Sequence, residues 1–313
     1  MRRAFIAFCI ASSLACAKGG LMDPSPASGA GDGGVPAGST LSIVSGETGA
    51  PLAGASVTLD GQSVAVLGDR FTLPAGAASN GILEVRAAGY LDRVTRLRSR
   101  DPIALWPRQS ATGLDESFTS AIVYSDSSGD TLAGAGLYRP GSSVRMVYVA
   151  PSSELQGDAQ TMNALREGAA RLSSATGGQL RWAVETSAPA GAVRFDVRFD
   201  PADSGCTERV LGYANRMIRG FEIVGGSLVF CRWQGSRLHI VMHELGHTLG
   251  LRHSPDSREL MFATANSAEE ASPRESLAMR LMLLRRPGNR FPDNDADATG
   301  QTALRQDTVV CPR

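Results

Sequence analysis

The chain has 313 residues, with 31 basic and 31 acidic side chains and a formal net charge of zero. That balance, with no basic stripe along the chain, excludes nucleic acid as an expected partner. Once an N-terminal signal and spacer are set aside, the length leaves room for about two cores, one small and one medium-sized.

Residues 1–15 read as a secretory signal: Arg2 and Arg3 precede an apolar run from Ala4 to Ile10 that is too short to span a bilayer, and small residues follow. Ser13-Leu14-Ala15-Cys16 resembles a bacterial lipobox, with Ser standing where Leu is usual at the first position. The resemblance implies that Cys16 becomes the lipidated first residue of the mature chain and that its acyl chains anchor it to a membrane. Ala17 provides no acidic retention signal, so the expected address is the bacterial cell envelope, at the outer membrane or cell surface. Cleavage after Ala15 or Ala17 without lipid would instead give a secreted protein. Residues 16–39, mainly Gly, Ser, Ala, Pro and Asp, read as a flexible tether.

Residues 40–106 carry short apolar stretches, Leu41 to Val44, Ala55 to Leu59, Val64 to Leu67 and Ile82 to Val85, separated by Gly, Pro, Asp and Asn turn signals. This pattern predicts a small all-β domain. The segment GAPLAGASVTLDG with the later AAGYLDRV resembles β-sandwich modules related to the carboxypeptidase regulatory domain. Such a module is expected to space or present a second domain, with binding of protein or carbohydrate as the alternative.

Residues 107–313 form the second domain. Val144 to Ala150 reads as a strand; Met162, Leu165, Ala169 and Leu172 then recur at helical spacing between Ala159 and Ser174, and Gly177-Gly178 ends that run. Leu180 to Glu185, Val193 to Phe199 and Ser227 to Cys231 are further strands, and a stretch between Val210 and Ile218 is placed at the edge of the sheet. The overall class is α+β.

The run HELGHTLGLRH follows. His243 and His247 are four positions apart, so on a helix their imidazoles share one face and converge on one metal ion. Gly250 falls where the helix has to stop, and a residue without Cβ can turn the chain back in the left-handed conformation. His253 then arrives as the third ligand. Three protein ligands leave one tetrahedral position open, as in a catalytic zinc site. Glu244 is the only carboxylate within the motif and is suited to act as a general base. His239, four positions before His243, is read as a satisfied helix-start histidine.

These residues resemble the metzincin pattern H-E-x-x-H-x-x-G-x-x-H. Ser254 directly after the third His, and Met261 eight positions after that His, match the matrixin branch. The resemblance implies a twisted mixed sheet with a zinc-site helix, one catalytic Zn2+, Met261 as an apolar floor under the metal, peptide-bond hydrolysis assisted by Glu244, and protein or peptide substrates. It also implies that substrate binds as a strand added to the sheet edge. The rival is a catalytically silent surface binding or adhesion lipoprotein that uses the β-sandwich module; retention of Glu244 separates the two.

Ser272 to Arg286, with Leu277, Leu281 and Leu284, predicts a C-terminal helix. Asp293, Asp295 and Asp297 resemble half a calcium loop, which would add Ca2+ as a cofactor. They lack the Gly and distal Glu of an EF-hand and read as a solvated turn. Cys9 leaves with the signal and Cys16 is assigned to lipid, so Cys206, Cys231 and Cys311 remain. Cys206 and Cys231 are the candidate disulfide; Cys311 is free or exchanges with either. Two features depart from matrixins: no cysteine-bearing propeptide precedes the catalytic domain, and the four His are used up around the motif, so no second, structural zinc site can be built.

Overall fold

The computed structural model describes residues 34–124, 136–296 and 303–312. The signal, the lipobox with Cys16, and residues 16–33 of the tether lie outside them. No helix among the described residues is long and apolar enough to cross a membrane.

Eight short strands come first: β1 (Thr40–Ser45), β2 (Ser56–Leu59), β3 (Gln62–Val64), β4 (Val66–Leu67), β5 (Arg70–Thr72), β6 (Ile82–Arg86), β7 (Arg93–Arg96) and β8 (Ile103–Leu105). They form two four-stranded sheets, in the orders β4-β5-β1-β8 and β3-β2-β6-β7. Period-two alternation turns Leu41 and Ile43 of β1, Val57 and Leu59 of β2, and Leu83 and Val85 of β6 into one shared core.

A short helix, α1 (Glu116–Thr119), is capped by Asp115 and runs into a wider turn at Ser120–Tyr124. Then follow β9 (Arg139–Pro140), β10 (Met146–Pro151), α2 (Ser153–Gln156), α3 (Ala159–Ala175), β11 (Arg181–Val184), β12 (Val193–Phe199), β13 (Val210–Arg219), β14 (Glu222–Phe230), α4 (Arg237–Leu249), α5 (Pro273–Leu283) and β15 (Leu304–Pro312). The fold is mixed α+β. Its seven-stranded sheet runs β11-β10-β12-β14-β13-β15, with β9 also paired to β14. The strands from β11 to β14 are parallel, whereas β13 is antiparallel to both β14 and β15.

Helix α3 starts where the Asp158 carboxylate accepts the Gln160 and Thr161 amides, and it buries Met162, Leu165, Ala169 and Leu172 at helical spacing. This face packs on α4. The indole Nε1 of Trp182, on β11, donates to Thr248 Oγ1 of α4 at 2.7 Å and ties the helix pair to the sheet.

Two expectations change. The stretch from Val210 to Ile218 is not the edge of the sheet: β15 covers its free side along its whole length. That strand carries only two buried apolar residues, Val309 and Cys311, so periodicity does not reveal it. Nor is the acidic run a solvated turn. Asp293 and Asp295 are 0% and 1% exposed. Arg93 of β7 donates to Asp293 at 2.7 Å and to Asp295 at 3.0 Å, and Arg285 donates twice to Asp293 at 2.7 Å. Two guanidinium groups balance these charges, one from β7 two hundred positions away and one from just after α5, eight positions away; Asp297 lies outside the described residues. The Val94 amide donates to the Asp293 carbonyl and the Asp295 amide to the Val94 carbonyl, joining β7 to this segment through the backbone.

Candidate metal centre

Helix α4 starts at Ser236, whose hydroxyl accepts the His239 amide, and is buried from Leu238 to Leu249. His243 and His247 therefore face the interior one turn apart. The chain leaves the helix at Gly250, where φ is +115° and a Cβ would stand 1.8 Å from the Tyr138 carbonyl oxygen. Both the turn and the close backbone approach exclude a side chain there. The Arg252 amide donates to Ile122 O at 2.8 Å and the Ser254 amide to Met261 O at 2.7 Å, which holds His253 between two fixed points.

Met261 is fully buried, and its Sδ lies where a Cβ on Gly246 would come within 2.5 Å. Its amide and that of Leu260 are both held by Glu275, at 2.8 and 3.2 Å. Glu275 is also the third residue of a capping box with Ser272. The sequence signal for this support was present in Ser-Pro-Arg-Glu, but which backbone it would reach was not.

The imidazole orientations follow from their outer nitrogens. His243 Nδ1–H donates to Leu260 O and His247 Nδ1–H to Leu251 O, both at 2.8 Å. Those bonds place the proton on Nδ1 and leave each Nε2 as a bare lone pair. The two Nε2 atoms nevertheless stand 3.2 Å apart. Neither can donate to the other, so the arrangement suits a cation between them. Burial, helped by the neighbouring histidines, lowers the pKa of His243 to about 3 and that of His247 well below the usual range. Burial and the nearby Arg252 and Arg216 bring His253 to about 4. All three are neutral, the form that ligates metal.

The fourth donor is Cys311. Its Sγ is 3.4 Å from His247 Nε2 and 3.8 Å from His253 Nε2, and one donor atom from each of the three histidines and Cys311 lies within 4.8 Å of the others. Glu244 is fully buried beside them, and its carboxylate has no hydrogen-bond partner other than the adjacent Cys311 thiol. Burial raises its pKa to about 8, partly offset by the adjacent Cys311 thiol. A cleft open to solvent is lined by His239, His243, Glu244, Phe262 and Cys311 among others.

Residues 167–276 match the family model of the matrixin peptidases. The chain is similar to matrixins. No curated protein matches it. The matrixin-like stretch runs from within α3 to the start of α5; it contains the three histidines, Glu244, Gly250 and Met261, and ends before Cys311. Together, the matrixin match and the cluster of three histidines and one cysteine support a zinc metallopeptidase.

His239 is set apart from the cluster: its Nδ1 contacts Ala268 O at 2.6 Å and its Nε2 accepts from the Asn266 amide. Cys206 and Cys231 form a disulfide with a Cα–Cα distance of 5.2 Å, clamping the segment between β12 and β13 to the residue after β14. Cys311 is in no disulfide. The sequence assigns it no role at the metal; its one signal is being the odd cysteine. Also missed were Arg216, fully buried on β13, and Arg252, both paired with Asp307 of β15. Burial and the proximity of Arg252 lower the pKa of Arg216 to about 10.

Proposed function

We propose that this chain is a zinc-dependent endopeptidase in which His243, His247 and His253 hold the ion and Glu244 is the general base. The observation carrying the reading is the convergence of bare Nε2 atoms beside a buried carboxylate whose one partner is the Cys311 thiol. An isolated buried carboxylate is costly, and a structural or silent metal site has no use for one. Zinc bound there supplies a Lewis acid that polarises a peptide carbonyl and acidifies the attacking water. Glu244 takes the proton from that water and delivers it to the departing amine. Gly250 and Met261 fix the ligand geometry from below, and the outer carbonyls of Leu260 and Leu251 orient the rings.

In the same reading residues 40–106 are a β-sandwich module that presents the peptidase domain of residues 107–313. Residues 1–15 are the signal and residues 16–39 the tether, the end of which, from Val35, already packs into the core of the β module. Cys16 carries the lipid anchor at the outer membrane or cell surface. A mature N-terminus at Lys18, or an unacylated Cys16, found by mass spectrometry, rejects the anchor.

The peptidase test is metal content together with turnover of quenched peptides or casein. Glu244→Ala keeps one zinc per chain and loses about 10²–10⁴ in turnover relative to its parent. His243→Ala and His253→Ala lose the metal. Undiminished turnover in Glu244→Ala rejects the assigned base.

A further inference from the structure

We propose that β15 is an inhibitory strand built into this chain, with Cys311 closing the metal centre as fourth donor and Asp307 holding the strand in place. The inference rests on the peptidase reading above and adds how that site is controlled.

Distances support a completed donor set. Ordinary zinc bond lengths to nitrogen and sulfur imply tetrahedral donor–donor edges of about 3.3–3.6 Å. The edges are 3.2 Å between His243 and His247, 3.4 Å between His247 and Cys311, and 3.8 Å between His253 and Cys311. These are three of the six edges, and all four donors lie within 4.8 Å of one another, so Sγ is near enough to take the position that an attacking water would need. On ligation the Sγ–H bond breaks, its proton passes to solvent, and a sulfur lone pair is donated to the ion. On opening, Sγ takes up a proton and leaves the position to water.

Register shows what else is blocked. Cys311 pairs with Gly212 of β13, and Gly212 lies directly against Glu244. Any extended peptide pairing with this side of β13 would cross the same spot, within reach of the base and the three histidines. Only one strand fits there. β15 occupies the whole of it, from Leu304 opposite Arg219 to Pro312 opposite Val210.

The strand is also locked by charge. Asp307 bonds to the buried Arg216 and lies 3.3 Å from Arg252 Nη2. The Nε and Nη1 atoms of both arginines are buried without hydrogen-bond partners, so Asp307 is the carboxylate paired with both groups. Thr308 Oγ1 adds a bond to Asn215 Oδ1 at 2.6 Å.

A closed set of four donors is also the composition of a structural zinc site. The buried Glu244 beside it, with no partner but the Cys311 thiol, and a fourth donor on a separate strand outside the matrixin-like stretch, favour a closed catalytic site instead.

The test uses the full chain loaded with Co2+ and, separately, with Zn2+. The cobalt protein shows thiolate-to-cobalt charge-transfer absorption in the near ultraviolet. Cys311→Ser and Cys311→Ala lose that band while keeping one metal per chain. With zinc, both variants cleave quenched peptides at least about tenfold faster than the parent, as expected where the open form is a minority of about a tenth or less. No band in the cobalt-loaded parent overturns the proposal. So does loss of metal from both cysteine variants, which would make the site structural. Equal turnover in parent and variants overturns the inhibitory strand and leaves the peptidase reading standing. If the band behaves as stated but no form cleaves any peptide, the peptidase reading falls and the inhibitory role falls with it.

Discussion

Gly212 on β13 lies so close to Glu244 on α4 that a Cβ would stand 2.7 Å from Oε1, with the Val229 carbonyl oxygen at 3.0 Å on another side. The base is therefore positioned by the bare backbone of a strand, and neither neighbour leaves room for a methyl group. Gly212→Ala displaces the carboxylate without touching a histidine. Turnover should fall by about 10²-fold, the usual cost of a misplacement near 1 Å, while zinc content stays at one per chain. The comparison is best made in a Cys311→Ser background, where turnover is highest. An alanine variant with unchanged turnover would show that the contact does not position the base.

The buried cluster of Arg93, Arg285, Asp293 and Asp295 balances two positive charges against two negative ones. Asp293→Ala leaves Arg285 without its carboxylate and Arg93 with only Asp295. Removing one partner of a buried pair costs about 3–5 kcal/mol, to be read as a lowered urea midpoint. A change under about 1 kcal/mol would mean that water enters and solvates the arginines.

Asp203, bonded to Tyr213 of β13, gives a pH signature. Its pKa is lowered to about 2, first by the Tyr213 hydroxyl, which donates at 2.5 Å, then by the Gly205 amide and Arg198. A depressed carboxylate stabilises the fold at pH values above its ordinary pKa, near about 4, and loses that contribution as pH falls through the folded value. The Tm difference between the parent and Asp203→Asn should therefore be constant above about pH 4 and shrink towards pH 2. A difference that grows as pH falls contradicts the assignment.

What could be read from the sequence was local. His243, His247 and His253 could be brought together because they lie within one helix and the turn after it, and β12 shows its alternation over seven residues. What escaped reading was carried by distant partners. Cys311 meets His247 across 64 positions, and Arg93 meets Asp293 across 200. Neither cysteine nor arginine has a pattern that names its partner, and the spacing in HELGH gives no hint that Gly212 would press on Glu244. The acidic run escapes reading for the same reason: Asp293 and Asp295 look solvated until the Arg93 guanidinium arrives from 200 positions away to join Arg285.

The placement of β15 also bears on solubility. Without it, β13 would present one side of a ten-residue strand, with its backbone donors and acceptors unpaired and Met217 already 42% exposed. Such an edge is a template for pairing with another chain, and proteins that leave one open tend to aggregate. A molecule cut free of β15 would carry that sticky edge permanently, whereas one that only lifts the strand can cover it again.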